Sequence, residues 1–404
     1  MTNDSVWITG IGVGVPHGWS FDEVADGLLA GRSCVDTIRQ FDVTQHPSQI
    51  GAWIGDVPTP AGVGDDFAAL SRLERLSVWC IASALSDAGL WADRAGPRIG
   101  LALGTAGEWA WKWEDEARFG PAAVPCDPAN DRRPLVPFLT NYLGLGGPAV
   151  TLSTACASGN FALAQARRWL QLGWCDVCVA GACDAGLTPM VLAGFGNLRA
   201  LSRRNDAPQA ASRPFDKGRD GFVLGEGGTV FVLETAERAR RRGARAYGEL
   251  AGVGLTSDAH HPVIPCPEPV QAIAAVRRAL ADARLDASAI DYVNAHGTST
   301  PVGDTAEAKG LREVLGERYR QVPVSSTKSM MGHLLTAASA VEALACLATF
   351  ARQAVPPTIN LDDPDPDCDL CHVANVARAA DVRVAISNSF GFGGSNSCAV
   401  FRAV

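Results

Sequence analysis

The chain alternates between short apolar runs and longer segments in which an apolar residue recurs every three or four positions. Short runs bounded by turn residues are typical of buried strands, and the longer periodic segments are typical of helices. Strands are expected at 6–12, 99–103, 149–153, 177–180, 230–233, 250–253, 292–294, 322–324, 382–387 and 397–402. Helices are expected at 67–90, 156–172, 269–284, 304–315 and 335–352. Strands that alternate with helices indicate an α/β protein with largely parallel sheets.

These elements fall into two successive series along the chain. We expect an N-terminal half of residues 1–246 and a C-terminal half of residues 247–404. The similar order of elements suggests two copies of one architecture, although no clear residue-level repetition accompanies it. Residues 106–148 interrupt the first series with Trp, Pro and charged residues, and we expect this excursion to cover a site or a dimer seam.

Composition narrows the function classes. Apolar residues make up 47% of the chain and charged residues 19%, so a sizeable core can be buried. The net charge of -8 argues against a nucleic-acid binder, whose footprint is a basic surface. The cysteines are scattered and the first residues lack a secretory pattern, so we expect free thiols in the cytoplasm. No apolar run reaches about 18 residues, so no membrane span is expected.

The first candidate for chemistry is Cys156, within the sequence Thr-Ala-Cys-Ala-Ser-Gly. It lies at a strand-to-helix turn, between the apolar run 149–153 and the helix that follows. Free backbone N–H groups and the helix dipole favour an anion there, so we expect a lowered thiol pKa and a nucleophilic sulfur. Taken alone, a cysteine is more often a small buried hydrophobe.

Three further segments directly follow predicted strands. Residues 294–301 carry His296, residues 325–333 carry His333, and residues 388–394 form a glycine-rich loop. Active-site groups gather on such strand-end loops in open α/β folds. Glycines also let backbone N–H groups approach a ligand closely. Each histidine by itself could equally be a hydrogen-bonded structural residue.

Together the four segments resemble the β-ketoacyl synthase family, especially the chain-elongating synthases of type II fatty acid and polyketide systems. Cys156 and His296 are 140 residues apart and His296 and His333 are 37 apart, as in the elongating Cys-His-His enzymes. Further matching stretches cover nearly the whole chain, at 194–196, 200–216, 220–227 and 356–361. The resemblance implies a thiolase-like fold, with two duplicated halves in a five-layered αβαβα body that is usually dimeric.

The resemblance also implies a decarboxylative condensation. Cys156 would take an acyl group from the phosphopantetheine thioester of an acyl carrier protein, and the carbanion left by a decarboxylated malonyl thioester would attack it. Neutral His296 and His333 would donate hydrogen bonds to the malonyl thioester oxygen. The backbone N–H groups of Cys156 and Phe392 would do so for the acyl carbonyl. No further cofactor and no metal are implied, because phosphopantetheine carries the substrates.

Supporting roles follow from the same resemblance. Lys328 would pair with Glu342 and hold the charge balance of the site. Phe392 would gate the two half-reactions, and Phe195 would form a wall of the acyl tunnel. The other substrate-binding positions are Thr298 and Thr300, for the phosphopantetheine arm, and Phe390.

Two departures from the family pattern bear on the substrate. Thr336 and Ser339 replace glycines that the family often has after the second histidine. Fatty acid enzymes commonly place a bulky aliphatic gate near Gly107, where a glycine would open the acyl pocket to a longer or stiffer chain. We therefore hypothesise a specialised pathway such as polyene or polyketide elongation, with housekeeping fatty acid elongation as the alternative.

Docking arginines are expected because acyl carrier proteins are strongly acidic. Those that match or lie close to family docking positions are Arg72, Arg75, Arg132, Arg133, Arg203 and Arg204. Rim charges of this kind mainly raise the association rate, and each alone could be a solvated charge.

Three motifs resemble cofactor or metal sites, and none is expected to be one. Cys368–His372 matches the pattern for c-type haem attachment, which needs export. Cys175–Cys178 lacks a second ligand pair at metal spacing. The adjacent His260 and His261 rarely converge on one ion, so we expect them at the pocket mouth.

Two other functions stay open. A noncatalytic partner subunit similar to a chain length factor would lack the nucleophile, whereas Cys156 is present. A thiolase would need a second catalytic cysteine, for which Cys398 is the candidate, and a chain-starting synthase would carry Cys-His-Asn in place of His333. The dimer could form with a second copy or with a ketosynthase-like subunit.

Overall fold

The computed structural model describes residues 5–107, 113–114 and 133–404. The strands are β1 (Val6–Gly14), β2 (Asp36–Thr37), β3 (Ile50–Ala52), β4 (Ile99–Gly104), β5 (Ala149–Leu152), β6 (Val177–Asp184), β7 (Leu224–Gly225), β8 (Gly227–Thr235), β9 (Gly248–Ser257), β10 (Tyr292–Asn294), β11 (Val324–Ser325), β12 (Ala354–Val355), β13 (Arg378–Ala379), β14 (Val384–Gly391) and β15 (Ser395–Arg402). The helices are α1 (Phe21–Leu29), α2 (Arg72–Asp87), α3 (Leu135–Leu143), α4 (Ser158–Gln171), α5 (Pro189–Asn197), α6 (Ala236–Arg241), α7 (Val270–Ala283), α8 (Pro301–Leu315), α9 (Lys328–Met331) and α10 (Ala338–Arg352).

Ten strands follow one another in the order β11-β10-β14-β15-β9-β1-β8-β6-β4-β5. The N-terminal five and the C-terminal five meet at β1 and β9, which share only two paired residues. Within each five, three neighbouring strands are parallel and the next two pairings are antiparallel. The two halves therefore repeat one order of strands and one set of directions, which is an internal duplication.

Helices lie between the two five-stranded halves and on their outer faces, which makes five layers in all. The central layer is formed by α4 and α10, which pack on each other and on strands of both halves. On the outer faces, α2 covers β1 and β8, and α7 covers β9 and β15. Because α10 is enclosed on all sides, its residues from Ala338 to Thr349 are all buried and it lacks a polar face.

The stretch at residues 335–352 is long and apolar enough, by length and composition alone, to cross a membrane. Of that stretch, 78% is buried inside the fold. Its apolar character therefore reflects the central layer of the protein.

Local sequence explains where key elements begin. Ser71 caps α2 by accepting a hydrogen bond from the Glu74 backbone N–H, and the Glu74 carboxylate accepts one from the Ser71 N–H. This capping box starts the helix at residue 72 rather than at the expected residue 67. The excursion at 106–148 lies largely outside the described residues, and its described helix α3 packs on α2 and β5.

Candidate active site

The turn between β5 and α4 presents Cys156. Ala155 has a φ of 50°, a left-handed conformation that is strained for a residue with a side chain. A Cβ added to Gly391 would lie 2.6 Å from the carbonyl oxygen of Thr154, so only glycine lets the β14–β15 loop approach this turn. Ser389 Oγ then donates to the Cys156 carbonyl over 2.9 Å. The nucleophile turn and the glycine-rich loop are thereby locked together.

The two histidines are held through their backbones. Glu307 on α8 accepts hydrogen bonds from the N–H groups of His296 and Gly297, at 2.8 and 2.7 Å. The His333 N–H donates to the Val223 carbonyl at 2.7 Å, and the His333 carbonyl accepts from Gly225 at 2.9 Å. The backbone of His296 is therefore held by the helix that follows it, and the backbone of His333 by a segment more than 100 residues earlier in the chain.

Hydrogen bonds also set the tautomers of the two imidazoles. The Leu335 backbone N–H donates to His333 Nδ1 over 3.0 Å. Lys328 Nζ donates to His296 Nδ1 over 3.3 Å. A ring nitrogen that accepts carries no proton, so each neutral ring holds its proton on Nε2. Burial, reinforced by the Lys328 charge, lowers the pKa of both rings well below the usual value, so both are neutral donors.

The three groups converge. One ligating atom each of Cys156, His296 and His333 lies within 4.8 Å of the others, and the ring centroids are 5.6 Å apart. Since both Nδ1 atoms are engaged elsewhere, Nε2–H is the ring donor that each histidine has free for a group bound at the sulfur. Within the described residues this is the one cluster with metal-ligand geometry, and the adjacent Lys328 ammonium opposes a cation there.

Lys328 and Glu342 form a buried ion pair, as the resemblance implied. Their side chains are 3% and 2% exposed, and Lys328 Nζ also donates to the His296 carbonyl at 2.7 Å. Burial raises the pKa of Glu342 to about 7, against the opposing effect of the Lys328 charge. The pair keeps a positive charge beside the imidazoles without leaving it unbalanced.

The expected lowering of the Cys156 pKa is wrong for the unloaded site. Burial raises the pKa of this thiol to about 11, although Lys328 and the backbone N–H groups of Phe392 and Cys156 act in the opposite direction. The side chain keeps some exposed area, but that area faces a protein-walled cavity rather than bulk water. Desolvation thus outweighs the favourable position at the helix N-terminus. The same two N–H groups nevertheless lie where an oxyanion next to the sulfur would be stabilised.

A cavity of about 340 Å³ opens onto the sulfur and has mostly apolar walls. The substrate-binding residues expected from the sequence all line it: Gly107, Phe195, Thr298, Thr300, Phe390 and Phe392. The rings of Phe195 and Phe392 lie 6.0 Å apart, and Phe390 contacts His296 edge-on at 5.6 Å. The hydroxyls of Thr298 and Thr300 are hydrogen-bonded to each other at 2.9 Å.

The expected docking arginines differ in their surroundings. Arg72 does not present a free charge, because it pairs with the buried Glu226 and donates to the Ile54 carbonyl at 2.7 Å. Arg133 pairs with Glu74 at 2.9 Å and stacks on Phe138. The other positions are an exposed Arg203, the half-buried Arg75 and Arg204, and Arg132, which lies outside the described residues.

The remaining motifs lie apart from this chemistry. Cys398 lies fully buried within β15 and is not among the residues that line the cavity at Cys156, so its sulfur is not placed to act as a second catalytic cysteine. His372 Nε2 contacts the Cys368 carbonyl at 2.7 Å inside the fold. His261 borders the cavity, where its Nδ1 accepts from the Val263 and Ile264 N–H groups. The position of His261 agrees with the pocket mouth expected from the sequence, whereas the contact of His372 was not expected.

Two buried carboxylates near the histidines went unnoticed in the sequence. Glu307 holds the His296 loop, and Asp304 accepts from the Phe215 N–H at 2.9 Å beside the charge of Arg219. Burial raises the pKa of Glu307 to about 7 and that of Asp304 to about 6. The available signal was their spacing of three residues on the helix that follows His296, which places both on one face.

This fold and this site define a thiolase-fold condensing enzyme. Family models described as the N-terminal and C-terminal domains of β-ketoacyl synthase match residues 3–239 and 247–362. The chain is 40% identical over 416 residues to a 3-oxoacyl-(acyl-carrier-protein) synthase 2 of Vibrio harveyi, with 100% of both chains covered. The chain belongs to the β-ketoacyl synthase family.

Polyketide enzymes are similarly close relatives. The ketoacyl synthase alpha subunit of the tetracenomycin polyketide synthase of Streptomyces glaucescens is 39% identical over 418 residues, covering 98% of this chain and 96% of that one. A chain from a solved complex of a type II polyketide acyl carrier protein with its ketosynthase bound to the hexaketide superposes with a TM-score of 0.91. It is 32% identical and covers 99% of this chain and 100% of that one. The ishigamide ketosynthase/chain length factor gives a TM-score of 0.90 at 32% identity, covering 99% of each chain. The thiolase-like, duplicated fold expected from the sequence is confirmed.

Proposed function

We propose that the protein condenses a malonyl thioester with an acyl group held on Cys156, both delivered by an acyl carrier protein. The observation that carries this proposal is the convergence of the Cys156 sulfur with two neutral Nε2–H donors, His296 and His333. The relatives named as carrier-protein synthases, and the solved carrier-protein complex, support it.

In the loading step, Sγ attacks the carbonyl carbon of the carrier thioester. Negative charge develops on the carbonyl oxygen, where the backbone N–H groups of Cys156 and Phe392 stabilise it. The carbon–sulfur bond to phosphopantetheine breaks, and the proton of the Cys156 thiol ends on the departing sulfur. Because the unloaded site holds a thiol rather than a thiolate, this proton transfer belongs to the step itself.

In the condensation step, a malonyl thioester loses CO2 and its bonding electrons move toward the thioester oxygen. His296 and His333 donate to that oxygen from Nε2, and their lowered pKa values keep them neutral donors. The carbanion carbon then attacks the acyl carbonyl, and Sγ leaves as a thiolate that takes up a proton from solvent to restore the thiol. A β-ketoacyl chain is released on the carrier protein. Lys328 fixes the His296 tautomer, and Glu342 balances its charge.

The rest of the cavity serves the substrate in this proposal. Phe392 gates the two half-reactions beside the tunnel wall at Phe195, and Phe390 packs against the His296 ring. Thr298 and Thr300 hydrogen-bond the phosphopantetheine arm, which carries the substrate into the site. Gly107 leaves the acyl end open, which favours a specialised polyene or polyketide pathway over housekeeping fatty acid elongation.

The assembly and its surroundings are proposals as well. Carrier-protein docking falls to the arginines expected from the sequence, among which Arg72 and Arg133 are also held in ion pairs. They are Arg72, Arg75, Arg132, Arg133, Arg203 and Arg204. The halves divide at residues 246 and 247, and the protein works in the cytoplasm as a dimer. Its partner subunit is a second copy or a ketosynthase-like subunit. The similarity to an alpha subunit and to a ketosynthase/chain length factor structure favours the ketosynthase-like subunit.

Intact-protein mass spectrometry tests the proposal. The chain is incubated with a panel of acyl carrier proteins, and each acyl group that transfers adds its own mass. We expect loading on the wild type and none on a Cys156→Ala variant. Malonyl carrier protein should still be decarboxylated by that variant, because the two imidazoles remain. Loading that persists without Cys156 would refute the assignment of the nucleophile.

A further inference from the structure

A buried carboxylate interrupts the apolar wall of the acyl cavity. Asp184, at the end of β6, is 2% exposed and lines the cavity that also holds Cys156. Its Oδ2 accepts two hydrogen bonds from Thr336, at 3.2 Å from the backbone N–H and 2.5 Å from Oγ1. Thr336 is one of the residues that depart from the family's usual glycine, so its hydroxyl adds a donor there.

The other carboxylate oxygen, Oδ1, stays uncovered on the cavity side. An added Cβ would lie 3.5 Å from Oδ1 at Gly107 and 2.9 Å from it at Gly186. Both neighbours are glycines, so neither of them places a side chain over the oxygen. Both hydrogen bonds from Thr336 end on Oδ2. Among the described residues, no hydrogen bond ends on Oδ1.

Oδ1 of Asp184 is a hydrogen-bond acceptor that needs a donor. Burial raises the pKa of Asp184 to about 6, so the group is still largely ionised near pH 7. Nearby cavity walls are apolar, with Ala106, Val191 and Leu335. A buried carboxylate oxygen without a partner is costly, and a chain of methylene groups offers it nothing.

We propose that Asp184, held by Thr336, is a specificity-determining residue that accepts a hydrogen bond from a hydroxyl group on the acyl chain. The substrate class is therefore a hydroxyacyl chain rather than a fully saturated one. This inference rests on the proposed function, since it concerns the acyl group that Cys156 carries. The other oxygen, Oδ2, has a separate role, because it anchors the loop after His333 through Thr336.

A competition experiment on the wild-type enzyme tests the preference. Carrier proteins bearing a saturated acyl chain compete with chains of equal length whose hydroxyl moves carbon by carbon, and intact mass gives the loading ratio. We expect one hydroxyl position to be preferred by about tenfold or more, the scale expected for gaining one hydrogen bond to a charged acceptor. Equal loading across the series overturns the proposal.

The Asp184→Asn variant supplies the decisive contrast. Its amide oxygen still accepts from Thr336, so the amide N–H₂ faces the cavity and the acceptor becomes a donor. The hydroxyl preference should disappear, and a ketone at the same carbon should become the better substrate. An unchanged hydroxyl preference in this variant assigns Asp184 a purely structural role and refutes the proposal.

Thr336→Val is the second variant, which keeps the carboxylate but removes one of its two restraints. It should reduce the hydroxyl preference without reversing it, and it carries the test if the Asn variant does not fold. A Thr336→Ser control should behave as wild type. If saturated and hydroxylated chains load equally well, only this inference is refuted. If no acyl chain loads at all, the proposed function is refuted.

Discussion

Removing the Lys328 charge should damage stability and catalysis for different physical reasons. In a Lys328→Met variant, Glu342 stays 2% exposed with no cation beside it. Breaking a buried ion pair by removing one partner typically costs about 3–5 kcal/mol. That is a large share of the roughly 5–15 kcal/mol by which proteins are stable, so the urea unfolding midpoint should fall clearly.

The same variant should also lose decarboxylation. Without Nζ, no donor among the described residues reaches His296 Nδ1, so the ring no longer keeps its proton on Nε2. Losing one oxyanion-hole donor costs about 2.7–4 kcal/mol, or on the order of 10²–10³ in rate. Mass spectrometry of malonyl carrier protein turning into acetyl carrier protein measures this rate directly.

A double variant, Lys328→Met with Glu342→Leu, separates the two effects. Replacing both members of a buried pair by apolar residues is often neutral for stability. The unfolding midpoint should therefore recover while decarboxylation stays low. If decarboxylation recovers together with stability, Lys328 acts only by balancing Glu342, and the tautomer argument is refuted. Lys217→Met is the matched control, because its exposed pair with Asp363 should contribute no more than about 1 kcal/mol.

Three further outcomes are expected. Alkylation of Cys156 by iodoacetamide should keep rising by about tenfold per pH unit through pH ~9, because burial raises the thiol pKa to about 11; a plateau below about pH 8.5 would contradict this. Gly107→Ile should shorten the longest acyl chain that loads, relative to a Gly107→Ala control, and unchanged chain-length selectivity would defeat the open-pocket idea. Burial lowers the pKa of His17 in the folded protein to about 4, whereas its pKa in the unfolded chain is near 6.5. As the pH falls, the unfolded chain therefore binds a proton first, and the free energy of unfolding decreases between pH 6.5 and 4. His17→Gln should remove about 2 kcal/mol of the stability difference between pH 7 and 5, measured by urea unfolding, and an identical pH dependence in both proteins would exclude this role.

Strand and helix positions were largely predictable because most elements carry a clear period. The strand at Tyr292–Asn294 was expected at its observed bounds, and the core helix at 338–352 was expected within three residues. β6 and β8 are longer than expected, since they continue through small residues such as Gly181 and Gly228 that resemble turn residues in sequence. In the interior, glycine allows another part of the backbone to approach a strand closely, and this close approach cannot be seen in a local sequence pattern.

The sequence by itself determined the class of chemistry, because Cys156, His296 and His333 stand on recognisable strand-end segments. The family resemblance also implied an ion pair between Lys328 and Glu342. Only the tertiary structure decided the ionisation of Cys156, since that depends on how completely other elements exclude water from the sulfur. It likewise assigned Arg72 to Glu226 and brought Asp184 and Thr336, 152 residues apart, to one cavity wall. Burial and long-range contact are properties of the packed chain, and no window of sequence contains them.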